Sequence, residues 1–345
     1  MKTFKKHKDL GLFDQDFRLT KLSKLGDPLE KLSKYIDFEI FRKILIENLV
    51  KEAKGKGGRP PYDYVLMFKI LILQRYYNLS DDQIEFQIND RISFMRFLNL
   101  TISDDIPDSK TIWNFREQIV DLNIVDDLFN LFVIELEKLG LIINEGKIVD
   151  ASFVDVPKQR NSKEENEEIK AGKTPNSFVE NENKKRQKDV DARWTQKNKI
   201  NYFGYKNHVK IDSKSKIITN FKVTDASVHD SQLIEKLIDN SDRGEEFYAD
   251  SAYSGKEHSD TIEAKGMIDK IHEKGYRNKP LTDEQKLNNK EKSKTRVRVE
   301  HIFAFMEMSM NTMYINCIGI KRATVTIALN NLTYNMFRKI QLLTL

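Results

Sequence analysis

Three acidic residues in the second half of the chain stand where carboxylates could act together. Asp150 follows the apolar run Ile148–Val149, Asp250 follows Phe247–Tyr248–Ala249, and Glu300 lies inside the stretch KTRVRVEHIFAFME. If the two apolar runs are strands, Asp150 and Asp250 emerge at the C-terminal edge of a sheet, where ligand sites of open α/β sheets collect. A glutamate from a helix packed on that sheet reaches the same place. Three carboxylates at short range cannot all ionise unaided. Oxygen-only ligands suit Mg²⁺ or Mn²⁺. Two such ions roughly 3.5–4 Å apart would activate a water or a hydroxyl and stabilise the leaving oxygen of an in-line attack on a phosphodiester. The plainer account is that an Asp at a strand end is commonly a turn or helix cap, and the chain has 53 acidic residues to choose from.

The elements around these residues follow from pattern. The chain has 345 residues, enough for two domains, and its hydrophobic fraction of 39% is enough for a sizeable core. Up to about residue 140 it reads as helical. Helices are expected over 28–52, over the nearly all-apolar 63–78, from the Ser80/Gln83 capping box through Asn89, over 92–100, from Asp108 or Ser109 through Val120, and over 124–139. Gly55, Gly57, Gly58 and the Pro60–Pro61 pair break the chain between the first two. From 141 the pattern changes. Two short strands about a turn at 144–146 come first, then strands over 202–212 and 216–225. A helix over 228–240, a strand over 245–253, a helix over 254–266 and a short strand over 267–272 follow. Helices over about 294–310 and 321–342 end the chain. Residues 158–200 are polar, acidic in their first half and basic in their second, and read as a solvated insertion. Early hairpin strands followed by βα units imply a mixed sheet with helices on its faces, the order of an RNase H-like fold.

Three segments, IVDASFVDVP around Asp150, YADSAYSG around Asp250 and RVRVEHIFAFMEMSM around Glu300, together resemble the DDE transposases of bacterial insertion sequences, and most nearly insertion-sequence family five. Residues 58–100 and 106–116 resemble that family's helical N-terminal region, and 204–212 and 223–232 its core strands and the start of a helix. The resemblance implies an all-α N-terminal DNA-binding and dimerisation domain over 1–140. It implies an RNase H-like, α/β catalytic domain over 141–345. Its function would be to bind terminal inverted repeats, cleave the ends and transfer the 3′-hydroxyls into target DNA. Asp150, Asp250 and Glu300 then become the ligands of Mg²⁺ or Mn²⁺, two ions in all, and the partner is double-stranded DNA held by a homodimer. In the related signature Tyr, Arg, Glu and Lys recur at fixed helix spacing. Here Arg296 matches the Arg and Glu300 the Glu, but Ser293 and Glu307 stand in place of the Tyr and Lys. A nuclease on the same core without strand transfer, or an inactive DNA-binding repressor, would share these residues.

Candidate DNA contacts lie elsewhere too. Residues 274–298 hold nine Lys/Arg against three acids, so the formal charge of +5 is a near-neutral body with a basic segment leading into Glu300. Lys290, Lys292, Lys294, Arg296 and Arg298 belong to it. Trp194, beside Arg193 in the basic half of the insertion, suits stacking on an unpaired base. Lys206 is read as a phosphate contact, with alternation on an exposed strand as an equal account. Trp113 and Arg116 suit a recognition helix, with Trp113 in a helical core as the equal alternative. Asp155, five residues beyond Asp150, falls on the other strand face and reads as structural. A single cysteine excludes an intramolecular disulfide and a cysteine-based zinc site. No apolar run is long enough for a membrane span. Cytoplasmic, nucleoid-associated residence is the expectation.

Overall fold

The computed structural model describes residues 11, 13–50 and 60–344; the expected break at Gly55–Gly58 lies outside them. Eight helices come first: α1 (Asp14–Lys24), α2 (Pro28–Tyr35), α3 (Arg42–Leu49), α4 (Tyr64–Tyr76), α5 (Asp81–Asp90), α6 (Ile92–Leu98), α7 (Ser109–Leu122) and α8 (Val125–Lys138). Their starts carry the expected caps. Asp63 accepts from the Val65 and Leu66 N–H groups to open α4, Ser80 and Gln83 form a reciprocal capping box on α5, and Asp108 caps α7. Helix α4 is apolar on all sides and buried from Met67 to Gln74, as a central helix must be.

One mixed sheet follows. Strand β1 (Gly146–Asp155) leads into three short helices, α9 (Lys163–Lys170), α10 (Asn176–Val179) and α11 (Glu182–Gln187). Strands β2 (Arg193–Lys197), β3 (Ile200–Asp212) and β4 (Ile218–Asp225) come next, then α12 (Ile234–Leu237), β5 (Glu246–Tyr248), α13 (Lys256–Ala264) and β6 (Ile268–Asp269). Helices α14 (Asp283–Arg296), α15 (Glu300–Ala304) and α16 (Ile320–Leu343) end the chain. Strand β1 pairs antiparallel with β3 and parallel with β5; β3 pairs antiparallel with β4, and β5 parallel with β6. This is the strand order of an RNase H-like core, with a helical region before it. Strand β2 continues the β4 edge by pairing with the first residues of β3.

Both faces of the sheet are covered. Ile148, Val209, Ile211 and Phe221 join the core built by α4, α8 and α16, whereas Val149 and Phe247 pack with Leu233, Leu237 and Ile262 beneath α12 and α13. Helix α16 is the shared spine, buried almost continuously from Ala323 to Ile340. Three of its buried residues are asparagines. The Asn335 amide accepts from the Ile218 N–H (2.9 Å) and donates to the Ile218 carbonyl (2.8 Å), where the β3–β4 register shifts. Asn331 exchanges two amide bonds with Asn207 on β3.

Several elements differ from the sequence reading. Residues 141–145 form no strand, because the Asn144 N–H is taken by the Asp212 carboxylate and Asn144 adopts positive φ. Strand β1 runs on to Asp155, so Asp150 sits in mid-strand rather than at an end. The insertion is folded: a Ser162/Glu165 capping box opens α9, and Ile169 and Phe178 are buried. The helix expected over 228–240 is broken into turns around α12. Helix α14 starts eleven residues before 294, at Asp283, through a Thr282/Gln285 capping box. The helical run around Glu300 is interrupted by a 3₁₀ turn over Val297–Val299 and a π turn over Phe305–Ser309. Among the described residues no helix is long and apolar enough to cross a membrane.

Asn335→Leu strips both partners from a buried peptide group. The cost of an unsatisfied buried group predicts a loss of about 2–3 kcal/mol in urea unfolding. A loss below about 0.5 kcal/mol would mean that the bulge finds other partners.

Candidate active site

The site begins with Asp150. Its strand is paired with β3 along its length and with β5 as far as Ile148, and Asp150 itself, opposite Val209, is 9% exposed. One carboxylate oxygen accepts from the Ala151 N–H at 2.8 Å and the other from Nη1 of Arg296 at 2.9 Å. Burial pushes its pKa up to about 6; the Ala151 N–H and Arg296 pull it back, and Asp250 and Glu300 push it further up. Asp250 lies two residues beyond the end of β5 and caps the 3₁₀ turn Ser251–Tyr253, accepting from the Ala252 N–H at 2.8 Å. Glu300 opens α15, and its side chain is 53% exposed. Nη2 of Arg296 reaches it at 3.2 Å, one helical turn away.

Arg296 therefore bridges two of the three carboxylates, and all three line one cleft of about 350 Å³ with Arg296, Lys197 and His272. The cleft edge is fastened. Lys292 donates to the Ile271 carbonyl at 2.8 Å, the Asn289 amide pairs with the Glu273 backbone, and Ser293 meets His272 at 3.1 Å. Arg298 donates to the Ser213 carbonyl at 2.8 Å and ties the 3₁₀ turn to the β3–β4 turn. Burial, then Arg296, lowers the His272 pKa. The Tyr253 hydroxyl is buried without a hydrogen-bond partner, with Asp150, Asp230 and Asp250 near enough to raise its pKa further.

Among the described residues no three His, Cys, Asp or Glu side chains are drawn close enough to hold a metal ion. The donor set nevertheless fits a hard divalent cation in kind. It is all carboxylate oxygen, and the Asp150 pKa registers both other carboxylates. The guanidinium of Arg296 supplies the positive charge between Asp150 and Glu300.

The other candidates fall in different places. Lys290 and Lys294 are exposed on α14, Lys294 in an ion pair with Glu291, while Lys292 is spent on Ile271 and Glu273. Lys206 is a correction. Register sets it opposite Phe153, on the face away from Asp150, and it is 7% exposed with its ammonium on Asp230 and the Val228 carbonyl. Arg193 is likewise taken up by the carbonyls of Val190, Ala192 and Ile169 rather than free for a phosphate. Trp194 is 47% exposed, lies against Phe203 and has Lys158 over its ring. Arg116 grips Asp81 with two bonds and Gln74 with a third. Trp113 is 42% exposed and faces another cleft. Asp155 accepts from the Phe203 N–H and bridges to Tyr314 through its backbone, a structural role. Lys197 and His272 were missed by the sequence reading. Lys197 was concealed in an apparently unstructured insertion, and His272 carries no motif.

Two family models match the chain: a transposase domain (DUF772) over residues 17–118, and a transposase DDE domain over residues 144–336. The chain is also similar to two solved structures. One is a piggyBac transposase synaptic complex with hairpin DNA, at 12% identity over 93% of this chain and 76% of that one, with a TM-score of 0.45. The other is a pre-cleavage Mos1 transpososome, at 8% identity over 97% of this chain and 98% of that one, with a TM-score of 0.18.

Arg296→Gln removes a cation that favours the ionised form of Asp150. The Asp150 pKa should therefore rise from about 6, as read by carboxyl ¹³C NMR titration of metal-free protein. A pKa that stays put or falls would show that the arginine does not stabilise the carboxylate.

Proposed function

The chain belongs to the DDE transposase family, and on that premise we propose that it binds the terminal inverted repeats of its element, cuts the DNA ends and joins the freed 3′-hydroxyls to target DNA. The observation that carries this reading is the one cleft lined by Asp150, Asp250 and Glu300, from three separate elements, with Arg296 between Asp150 and Glu300. Members of the family generally use divalent metal ions. In this reading Asp150, Asp250 and Glu300 hold Mg²⁺ or Mn²⁺, two ions in all. When bound, these supply Lewis-acid charge to the phosphodiester and ease ionisation of the attacking hydroxyl group.

The protein's own side chains have defined work in such a reaction. Asp150 is buried and needs a positive neighbour to stay ionised, a need Arg296 meets in this state. Arg296 and Lys197 sit on the cleft wall and suit the non-bridging oxygens of a phosphate. Cleavage forms a bond from a water oxygen to phosphorus and breaks the bond to the 3′ oxygen, leaving a 3′-hydroxyl. Joining uses that hydroxyl on a target phosphodiester, so one phosphodiester forms as another breaks. Residues 1–140 are proposed to bind DNA and to dimerise, and 141–345 to carry the chemistry. Pairing two ends calls for two protomers.

Asp250→Asn keeps an N-cap side chain, so the fold should survive. With Mg²⁺ and paired inverted-repeat DNA this variant should lose cleavage while keeping end binding in gel-shift assays. Full cleavage by the variant would sink the proposed site, and cleavage without joining by the unaltered protein would make the chain a nuclease. Replacing Lys290 and Lys294 with alanine should lower the slope of log affinity against log salt by about two, at roughly 0.9 per phosphate contact. Lys292 is left in place because it anchors α14. An unchanged slope would remove this helix from the DNA path.

A further inference from the structure

A second and larger cleft, of about 830 Å³, lies apart from the carboxylates and shares no lining residue with their cleft. Its walls come from α4 and α7, from α11 of the insertion, and from the segment leading into α16. Five cations line it against three carboxylates. Three of the cations are matched: Arg116 with Asp81, Arg322 with Glu117, and Arg186 with Glu182. The remaining two are not. Among the described residues the side chains of Arg75 and Lys185 make no hydrogen bond and no ion pair. Burial, with Arg116 close by, lowers the Arg75 pKa to about 10 and Asp81 pulls it partly back, so the guanidinium stays charged at neutral pH. Trp113, from α7, offers a partly exposed indole to the same cleft.

Two unmatched cations, one of them a planar guanidinium, suit a phosphate with its non-bridging oxygens. A partly exposed indole lining the same cleft suits an aromatic base, since stacking accepts any base. The volume is within the usual range for a small-ligand site. We propose that this cleft binds a nucleoside phosphate, with the phosphate on Arg75 and Lys185 and the base against Trp113. The site is independent of the cleavage chemistry: it uses none of the three carboxylates, and either reading can fail alone. The nucleoside phosphate is either a free nucleotide or one unit of a DNA strand, and the two sources are separable.

The chain has two tryptophans, so Trp194→Phe leaves Trp113 as the only indole reporter. In that background, Trp113 fluorescence is titrated with dTMP, with a short oligodeoxythymidylate and with inorganic phosphate. Saturable quenching by dTMP identifies a free nucleotide. Quenching by the oligomer alone identifies a nucleotide within a strand. Inorganic phosphate should compete without quenching. Arg75→Gln and Lys185→Gln should each raise the dissociation constant at least tenfold. Lys185 is exposed on a short surface helix, so that variant decides the matter if Arg75→Gln fails to fold. The proposal is overturned if neither dTMP nor the oligomer quenches Trp113, or if quenching is unchanged in Lys185→Gln.

Discussion

A carboxylate nearly buried in mid-strand needs donors to stay ionised, and Asp150 is in that position. Its ionised form depends on the donors that reach it, namely the next N–H along the strand and the guanidinium of Arg296. Removing one partner of such a buried pair leaves an uncompensated charge, at a typical cost of about 3–5 kcal/mol. The position of α14 follows from this need. Arg296 is its last residue, and the helix is held over the cleft by Lys292 and Asn289, which bond the backbone of Ile271 and Glu273 in the irregular segment after β6. Glu300, one turn further on, is then brought to the other side of the same guanidinium. The arginine thereby sets one positive charge between two carboxylates.

The helical region and one face of the sheet share a single core. Residues of α2 to α8 pack into the same apolar cluster as Ile148, Val209 and Ile302, with α16 between them. The last helix in sequence thus packs against both the first helices and the sheet. Asn331 and Asn335 satisfy amide and peptide groups on β3 and β4, which fixes the spine in register as well as in place. Any movement of α16 against the sheet would have to break these bonds.

The parts legible in the sequence are those written in local chemistry. The caps at Asp63, Ser80 and Asp108, the all-apolar α4 and the change of periodicity near 141 announce their elements. The three carboxylates are legible because each follows or interrupts an apolar run. What was not legible depends on distant partners. Lys206 looks like an exposed strand residue until register places Asp230 beneath it. Residues 158–200 look solvated because their apolar content is low, yet Ile169 and Phe178 suffice to bury a small cluster of helices, and Arg193 caps its carbonyls. Strand β1 continues past Asp150 because Asp155 finds Phe203 and Tyr314 across the chain, which nothing near Asp155 in sequence announces.

The charge of the chain takes on a different meaning once these pairs are visible. A net of +5 is small, and many lysines of the basic segment face a nearby acid, as Lys286 faces Asp283 and Lys294 faces Glu291. Exposed pairs of this kind are worth about 0–1 kcal/mol, so an arriving phosphate can displace the acid at little cost. The folded insertion adds a second element of design. Its α11 lends Lys185 to the larger cleft, and its β2 lends Lys197 to the carboxylate cleft. One polar segment thereby places a lysine in each of two clefts that share no lining residue, which an unfolded insertion could not do.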